Sequence, residues 1–307
     1  IVKYLNALNK ISGVGPQKFK LLLNFFGDSQ NIWRASFDDL VRAGIGEKLA
    51  EKISTEKKTL DPDAEWEKLE KENIQMITLE GPAYPPLLRE SANPPYIIYI
   101  KGDASILEEA SPMISIVGAR KNTSYGAQAA ETLARDLANS GIIVVSGMAL
   151  GIDTFAHRGA LAAGGKTIAV LGNSLDDKNL YPRNNFNLSR NIMECGLLMS
   201  DYPIETSAGP LTFPARNRII AGLSLGTIVV EAGEKSGALI TAAQALENNR
   251  EVFAVPGSIF SSQSFGTNSL LRQGAKIATS VKDILEEFNL GKNSEAIQVV
   301  QKIPESE

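Results

Sequence analysis

Between residues 113 and 153 the spacing of apolar positions changes three times. Met113-Ile-Ser-Ile-Val117 is short, mostly apolar and rich in β-branched residues, bounded by Pro112 and Gly118, which predicts a buried strand. From Ser124 to Ser140 the apolar residues fall at Ala127, Ala130, Leu133, Ala134 and Leu137. That is helical spacing, and Gly141 supplies the usual stop. Ile142 to Val145 is a second apolar run, and Ser146-Gly147 opens a glycine-bearing loop into another helix. Strand, helix and strand of this length predict a βαβ unit with parallel strands and a right-handed crossover.

The alternation continues. Helices are predicted over 154–163, 185–195, from Phe213 through Leu223, and over 238–247, 268–272 and 281–288. Strands are predicted over 167–171, 196–200, 227–231, 251–255 and 276–278. Together they predict an α/β chain whose main body, residues 66–290, is a doubly wound, mostly parallel sheet. Ile74–Thr78 and Tyr96–Ile100 read as strands added at one edge. Upstream, residues 1–65 carry only helical patterns and read as a self-contained helical domain. Ile11-Ser-Gly-Val-Gly-Pro16 and Ala43-Gly-Ile-Gly-Glu47 each place two glycines around an apolar residue before a helix, the pattern of helix-hairpin-helix modules. Such hairpins present N–H groups to a phosphate, and glycine also suits a tight αα turn for purely conformational reasons. Residues 291–307 are mostly polar and read as a tail or linker.

Charge narrows the partners. The 307 residues carry a net charge of −4, so bulk attraction to polyanions is excluded. The excess is uneven: residues 1–60 hold 10 basic and 6 acidic side chains, the remainder 21 and 29. One cysteine, Cys195, excludes an internal disulfide framework and a thiolate metal cluster, and a reducing cytoplasm is the expected setting. No run approaches the roughly 18 apolar residues of a membrane span.

The chemistry gathers at predicted strand ends. In an open parallel sheet, ligands bind beyond the carboxyl ends of the strands. There the sequence collects Gly118, Arg120, Ser146, Gly147, Gly151, Gly172, Arg183, Arg216, Asn217, Arg218, Ser236 and Gly237. Arginine grips phosphate bidentately and stacks on bases, so this edge reads as an anion site. Tyr181 and Phe213 stand beside Arg183 and Arg216, and aromatic residues next to cations suit single-stranded nucleic acid. No Gly-x-x-x-x-Gly-Lys-Ser/Thr loop and no Gly-x-Gly-x-x-Gly fingerprint is present. His157 is the only histidine. With Asp153 four residues before it, it reads as a structural pair, the aspartate holding the Ser146–Gly151 loop or capping its helix. Glu231 ends a strand without an evident proton-transfer partner, and an ion pair with a nearby arginine is expected.

These motifs resemble the DNA-processing protein A (DprA/Smf) family. The matching stretches are Ile116-Val-Gly-Ala-Arg120, Ser146-Gly-Met-Ala-Leu-Gly-Ile-Asp153 with His157, Tyr181-Pro-Arg-Asn-Asn185, Phe213-Pro-Ala-Arg-Asn-Arg-Ile-Ile-Ala-Gly222, Glu231-Ala232 with Ser236-Gly-Ala-Leu-Ile-Thr241, and Phe253-Ala-Val-Pro-Gly257. The resemblance implies an extended Rossmann-like fold behind a small helix-hairpin-helix or SAM-like domain. It implies binding of single-stranded DNA, a homodimer, assistance to RecA recombinase loading in natural transformation, and no catalysis, cofactor or metal. By position it implies DNA contacts at Arg120, Arg183 and Arg218, with Asn217 and the Gly147–Gly151 loop shaping the pocket; Asn185, Arg216 and Ser236 complete the candidate set. Arg183 stands where relatives often carry lysine. The winged-helix domain that many relatives carry at the carboxyl end is not expected within this chain. The arginine edge also resembles nucleoside-monophosphate phosphoribohydrolases, which would use Arg218 and Glu231. Those enzymes carry Pro-Gly-Gly-x-Gly-Thr before the glutamate, whereas this chain reads Glu231-Ala-Gly-Glu-Lys-Ser-Gly237.

Overall fold

The computed structural model describes residues 2–109 and 111–290; the polar stretch 291–307 lies outside the described residues. Six helices come first: α1 (Val2–Lys10), α2 (Pro16–Phe26), α3 (Ser29–Arg34), α4 (Phe37–Arg42), α5 (Glu47–Glu56) and α6 (Pro62–Lys71). Two strands follow, β1 (Gln75–Thr78) and β2 (Ile97–Gly102), with the short α7 (Pro86–Arg89) between them. From there strands and helices alternate as β3 (Met113–Val117), α8 (Ser124–Asn139), β4 (Ile143–Ser146), α9 (Ile152–Ala162), β5 (Thr167–Val170), α10 (Phe186–Cys195) and β6 (Leu197–Ser200). The second half runs α11 (Thr212–Leu223), β7 (Gly226–Val229), α12 (Gly237–Glu247), β8 (Glu251–Ala254), α13 (Phe265–Arg272), β9 (Lys276–Ile277) and α14 (Val281–Glu287).

All nine strands form one sheet in the order β1-β2-β6-β5-β4-β3-β7-β8-β9. Strands β3 to β9 are mutually parallel, while β1 and β2 pair antiparallel at the edge beside β6. Every residue of β3 to β7 is buried, as strands covered by helices on both faces require. The boundaries expected from periodicity hold to within a few residues. Helix α8 shows why: Thr123 caps its start by accepting from Gly126 N–H at 3.2 Å, and Ala130, Leu133, Ala134 and Leu137 bury one stripe.

The winding reverses at β3. The chain moves outward through β4, β5 and β6, then returns to place β7 on the other side of β3. A crevice opens at such a reversal, because the loops leaving the two central strands part in opposite directions.

The amino-terminal helices, expected to form a domain of their own, share an apolar cluster with the sheet edge. Leu8, Phe19, Leu22, Ile32, Leu40 and Ile53 share one apolar cluster with Tyr96, Ile97 and Tyr99 of the β2 segment and with Leu188 and Ile192 of α10. Phe19 stacks on Tyr96 with ring centres 5.1 Å apart. The Tyr99 hydroxyl donates to Asn6 at 2.8 Å and accepts from Asn9 at 3.1 Å. The helices pack on one another, and their apolar cluster continues onto the sheet edge. The boundary expected at 65 falls inside α6, which packs along α1. Lys10 and Lys68 both reach Glu205, at 2.9 Å each, tying α1 and α6 to the loop between β6 and α11.

Candidate nucleic-acid interface

The crevice beside β3 and β7 holds an open cleft of about 810 Å³. Its walls are the loop after β3 (Gly118 to Lys121), the loop after β7 (Gly233 to Gly237), the first turns of α11 and α12, and Tyr181. Helices in this fold run antiparallel to the strands, so the positive ends of α11 and α12 face the cleft. Four cations line it: Arg120, Lys121, Arg216 and Lys235. Asp153 is the single lining carboxylate among the described residues. The neighbourhood is therefore positive although the chain is acidic.

The floor is a fixed polar lattice. The Asp153 carboxylate, at the start of α9, accepts from the Gly147 and Ala149 N–H groups at 3.1 and 3.3 Å. Arg216 is 4% exposed and donates from Nη1 to the carbonyls of Gly147, at 2.8 Å, and Val170. A Cβ on Gly147 would lie 2.7 Å from both Arg216 Nη atoms and from Asp153 Oδ2, so only glycine fits between the two charges. Gly151 has φ +88°, and a Cβ there would lie 2.3 Å from the Ala119 carbonyl and 2.6 Å from that of Arg120. Burial raises the Asp153 carboxyl, with Arg216 opposing it, and lowers Arg216 to about 10, which leaves the guanidinium charged at neutral pH.

The rim is different. Arg120, Lys121 and Lys235 are exposed, and none has a carboxylate within 4 Å among the described residues. The Arg120 guanidinium lies over the Phe213 ring, with Cζ 4.9 Å from its centre. Tyr181, 47% exposed, meets Phe213 at 5.8 Å between ring centres. Ser236 caps α12 by accepting from Ala238 N–H at 3.3 Å. Asn217 bridges floor and rim, accepting from Arg216 Nε at 3.2 Å and donating to the Gly237 carbonyl at 3.4 Å.

The structure separates the predicted site residues. Arg120, Arg216, Asn217 and Ser236 line one cleft, with Gly147 and Gly151 in the loop beneath. Arg216 faces that cleft from inside, with Nη1 donating to main chain and Nε to Asn217. Asn185 does not offer itself to a ligand: it is 3% exposed and donates to the Met148 carbonyl at 2.9 Å and to Thr154 Oγ1 at 2.8 Å. Its position just before α10 turns it inward, under the Gly147–Gly151 loop. Arg218 lies outside the cleft lining, ion-paired to Asp201 and donating to the Asn93 carbonyl at 2.7 Å. Arg183 is exposed beside the Tyr181 rim, donating to the Asp177 carbonyl at 2.6 Å over the Phe186 ring. The ion pair expected for Glu231 is absent among the described residues. Its carboxylate instead accepts from Thr123 N–H at 2.8 Å and Thr123 Oγ1 at 2.6 Å. Lys121 and Lys235 were missed. Their signal was adjacency: one follows Arg120 directly, and the other precedes the Ser236 cap of a strand-end helix.

His157 is fully buried behind this floor. Thr167 Oγ1 donates to the Val144 carbonyl at 2.7 Å, so it accepts from His157 Nδ1–H at 2.8 Å, leaving Nε2 as a bare lone pair without a partner among the described residues. Burial, with Arg216 adding repulsion, lowers the imidazole to about 3. An unfolded histidine titrates near 6.5. Between these values the unfolded chain binds a proton that the folded chain refuses, so stability present above 6.5 is lost as pH falls towards 3. The expected loss approaches about 1.4 kcal/mol per pH unit. Urea unfolding at pH 7, 6 and 5 should show the wild type losing more stability than His157→Gln, by about 0.7 kcal/mol from pH 7 to 6 and about 1.2 kcal/mol from 6 to 5. Equal slopes would mean that the imidazole is not held neutral.

Fold and cleft together define a class: doubly wound α/β proteins with a cationic crevice where the strand order reverses. Residues 75–289 match the family model of DNA recombination-mediator protein A, and the chain belongs to that family. It is 39% identical over 285 residues to Protein Smf of Synechocystis, covering 92% of this chain and 71% of the relative. It is 42% identical over 217 residues to DNA processing protein DprA of Bacillus subtilis, covering 71% and 72%. The crystal structure of DNA processing protein A from Streptococcus pneumoniae superposes with a TM-score of 0.81 at 35% identity, covering 94% of this chain and 98% of that one. DNA processing protein A from Helicobacter pylori, described with a single-stranded DNA binding mode, superposes with a TM-score of 0.62 at 33% identity, over 70% and 96%. Among the described residues no helix is long and apolar enough to cross a membrane.

Proposed function

We propose that this chain binds single-stranded DNA across the cleft and performs no chemistry on it. The observation that carries the reading is the rim, where Arg120, Lys121 and Lys235 stand without carboxylate partners among the described residues and share a cleft with the Tyr181–Phe213 ring pair. Unpaired cations take backbone phosphates, and exposed rings take bases irrespective of sequence. The single-stranded DNA binding described for the Helicobacter pylori relative supports the same assignment. Arg183 extends the positive surface on the Tyr181 side, and Asn217, Ser236 and the Gly147–Gly151 loop give the cleft its shape. Arg216 and Asn185 hold that shape from within. Passing the strand to RecA recombinase and working as a homodimer belong to this reading through the family.

The phosphoribohydrolase alternative needs a carboxylate free to act. Glu231 is 1% exposed and tied to Thr123, and Asp153 is tied to two N–H groups. Release of free base from AMP at enzymatic rates would overturn the binding-only reading.

Fluorescence anisotropy with a labelled single strand and a duplex of equal length tests the proposal. Three neutralised phosphates predict a slope of about −2 for log affinity against log salt concentration. Arg120→Ala/Lys235→Ala should weaken single-strand binding on the order of 100-fold and flatten the slope to about −0.7. A salt-independent affinity, or a variant that binds like the wild type, would remove the rim from the mechanism.

A further inference from the structure

We infer that the loop between β8 and α13 is a second base-stacking station, with Phe260 as its platform, at the end of the cleft opposite Tyr181. This rests on the single-strand reading above. Ile259 and Phe260 are consecutive and are 84% and 92% exposed. Two adjacent large apolar side chains this bare are uncommon, since exposed apolar residues are normally scattered singly. The exposure is built into the backbone. At the loop base, Asn268 donates to the Gly257 carbonyl at 3.1 Å and accepts from its N–H at 3.3 Å. At the tip, Phe260 N–H donates to Ser258 Oγ at 3.2 Å, and Ser261 N–H to the Ser258 carbonyl at 3.0 Å. This closes a tight turn that holds both side chains outward.

The loop is continuous with the cleft. Its Gln263 lines the cleft wall and accepts from Ala232 N–H, at 2.8 Å, in the segment that leads to Lys235. Tyr181 follows β5, Arg120 follows β3, Lys235 follows β7 and the Phe260 loop follows β8. In sheet order β5-β4-β3-β7-β8, the strands that lead to the two aromatic stations stand four spacings apart, about 19 Å at ~4.8 Å each, and the strands that lead to Arg120 and Lys235 lie between them. Aromatic, cation, cation, aromatic along one edge is the arrangement that a short single strand with alternating phosphates and bases would engage. Phe260 has no cation role, so it contributes stacking without counterion release.

The test separates the two readings. Phe260→Ala, Phe260→Leu and Phe260→Trp would be titrated with oligothymidines of increasing length across a salt series, next to Arg120→Ala/Lys235→Ala. The exposed position makes all three variants fold like the wild type, which circular dichroism checks. Loss of one stacked base predicts about 5- to 160-fold weaker binding of long oligomers by Phe260→Ala and Phe260→Leu. The salt slope should stay that of the wild type, short oligomers confined to the cleft should be unaffected, and Phe260→Trp should bind normally with its added indole emission quenched. Wild-type affinity in Phe260→Ala, while the double variant still fails, would overturn the station and leave the cleft reading intact. A change in oligomeric state on Phe260→Ala would assign the loop to self-association and overturn it as well. Absence of single-strand binding by the wild type would sink both readings together.

Discussion

Replacing Arg216 by alanine should destabilise the chain by about 3–5 kcal/mol, the usual result of removing one partner from a buried charged network. The guanidinium donates to the Gly147 and Val170 carbonyls at once, and it lies across Gly147 from the buried Asp153. Alanine leaves two carbonyls without that donor and a carboxylate without its counter-charge. Arg216→Lys should recover only part of this, because one ammonium can stand in for Nη1 at the two carbonyls but cannot also supply the Nε–H that Asn217 accepts. Urea unfolding followed by circular dichroism gives the number directly. A loss below about 1 kcal/mol would mean that the guanidinium is dispensable to the fold, and would return Arg216 to the set of direct DNA contacts.

Gly151→Ala should cost about 2–6 kcal/mol, combining a backbone conformation that side chains avoid with a Cβ driven into two carbonyl oxygens. Gly164→Ala provides the control. Gly164 also has positive φ, +67°, but no atom lies within 4 Å of where its Cβ would stand. It should therefore cost only about 1–2 kcal/mol. The difference between the two variants isolates the collision with the Ala119 and Arg120 carbonyls. Because that collision displaces the loop carrying Arg120, Gly151→Ala should also lose single-strand affinity at temperatures where it remains folded, and Gly164→Ala should not. Equal stabilities would show that the loop after β3 can give way at no cost.

The parts of this molecule that sequence makes legible are those governed by periodicity. Strands buried on both faces announce themselves as apolar runs, helices as stripes, and their alternation places the loops at one sheet edge. Hence the fold class and the position of the cleft could be read from residues such as Met113–Val117 and Ser146–Asp153. Side-chain partnership across strands could not. Arg216 and Arg218 are two residues apart on one helix, yet one turns into the floor and the other pairs with Asp201 beyond β6. Helical spacing sets the two on opposite faces, but which face meets the floor and which meets Asp201 depends on strand order, which periodicity does not encode. Glu231 finds Thr123, 108 positions away, because β7 and β3 are neighbours. Asn185 sits in a motif full of surface residues but faces inward, since its loop doubles back under Met148. The amino-terminal helices looked independent because amphipathic stripes reveal that a face is buried, and not what buries it.

That last point bears on how the chain can change over time. A module joined by a linker can be traded for another without consequence for its neighbour. Here α1 and α2 are fitted to Tyr96 and Tyr99, and the apolar cluster of the six helices runs on into α10, so the front of the chain is not interchangeable cargo. Its solvent side is free to drift, but its inner side and the sheet edge must be inherited as one fitted surface.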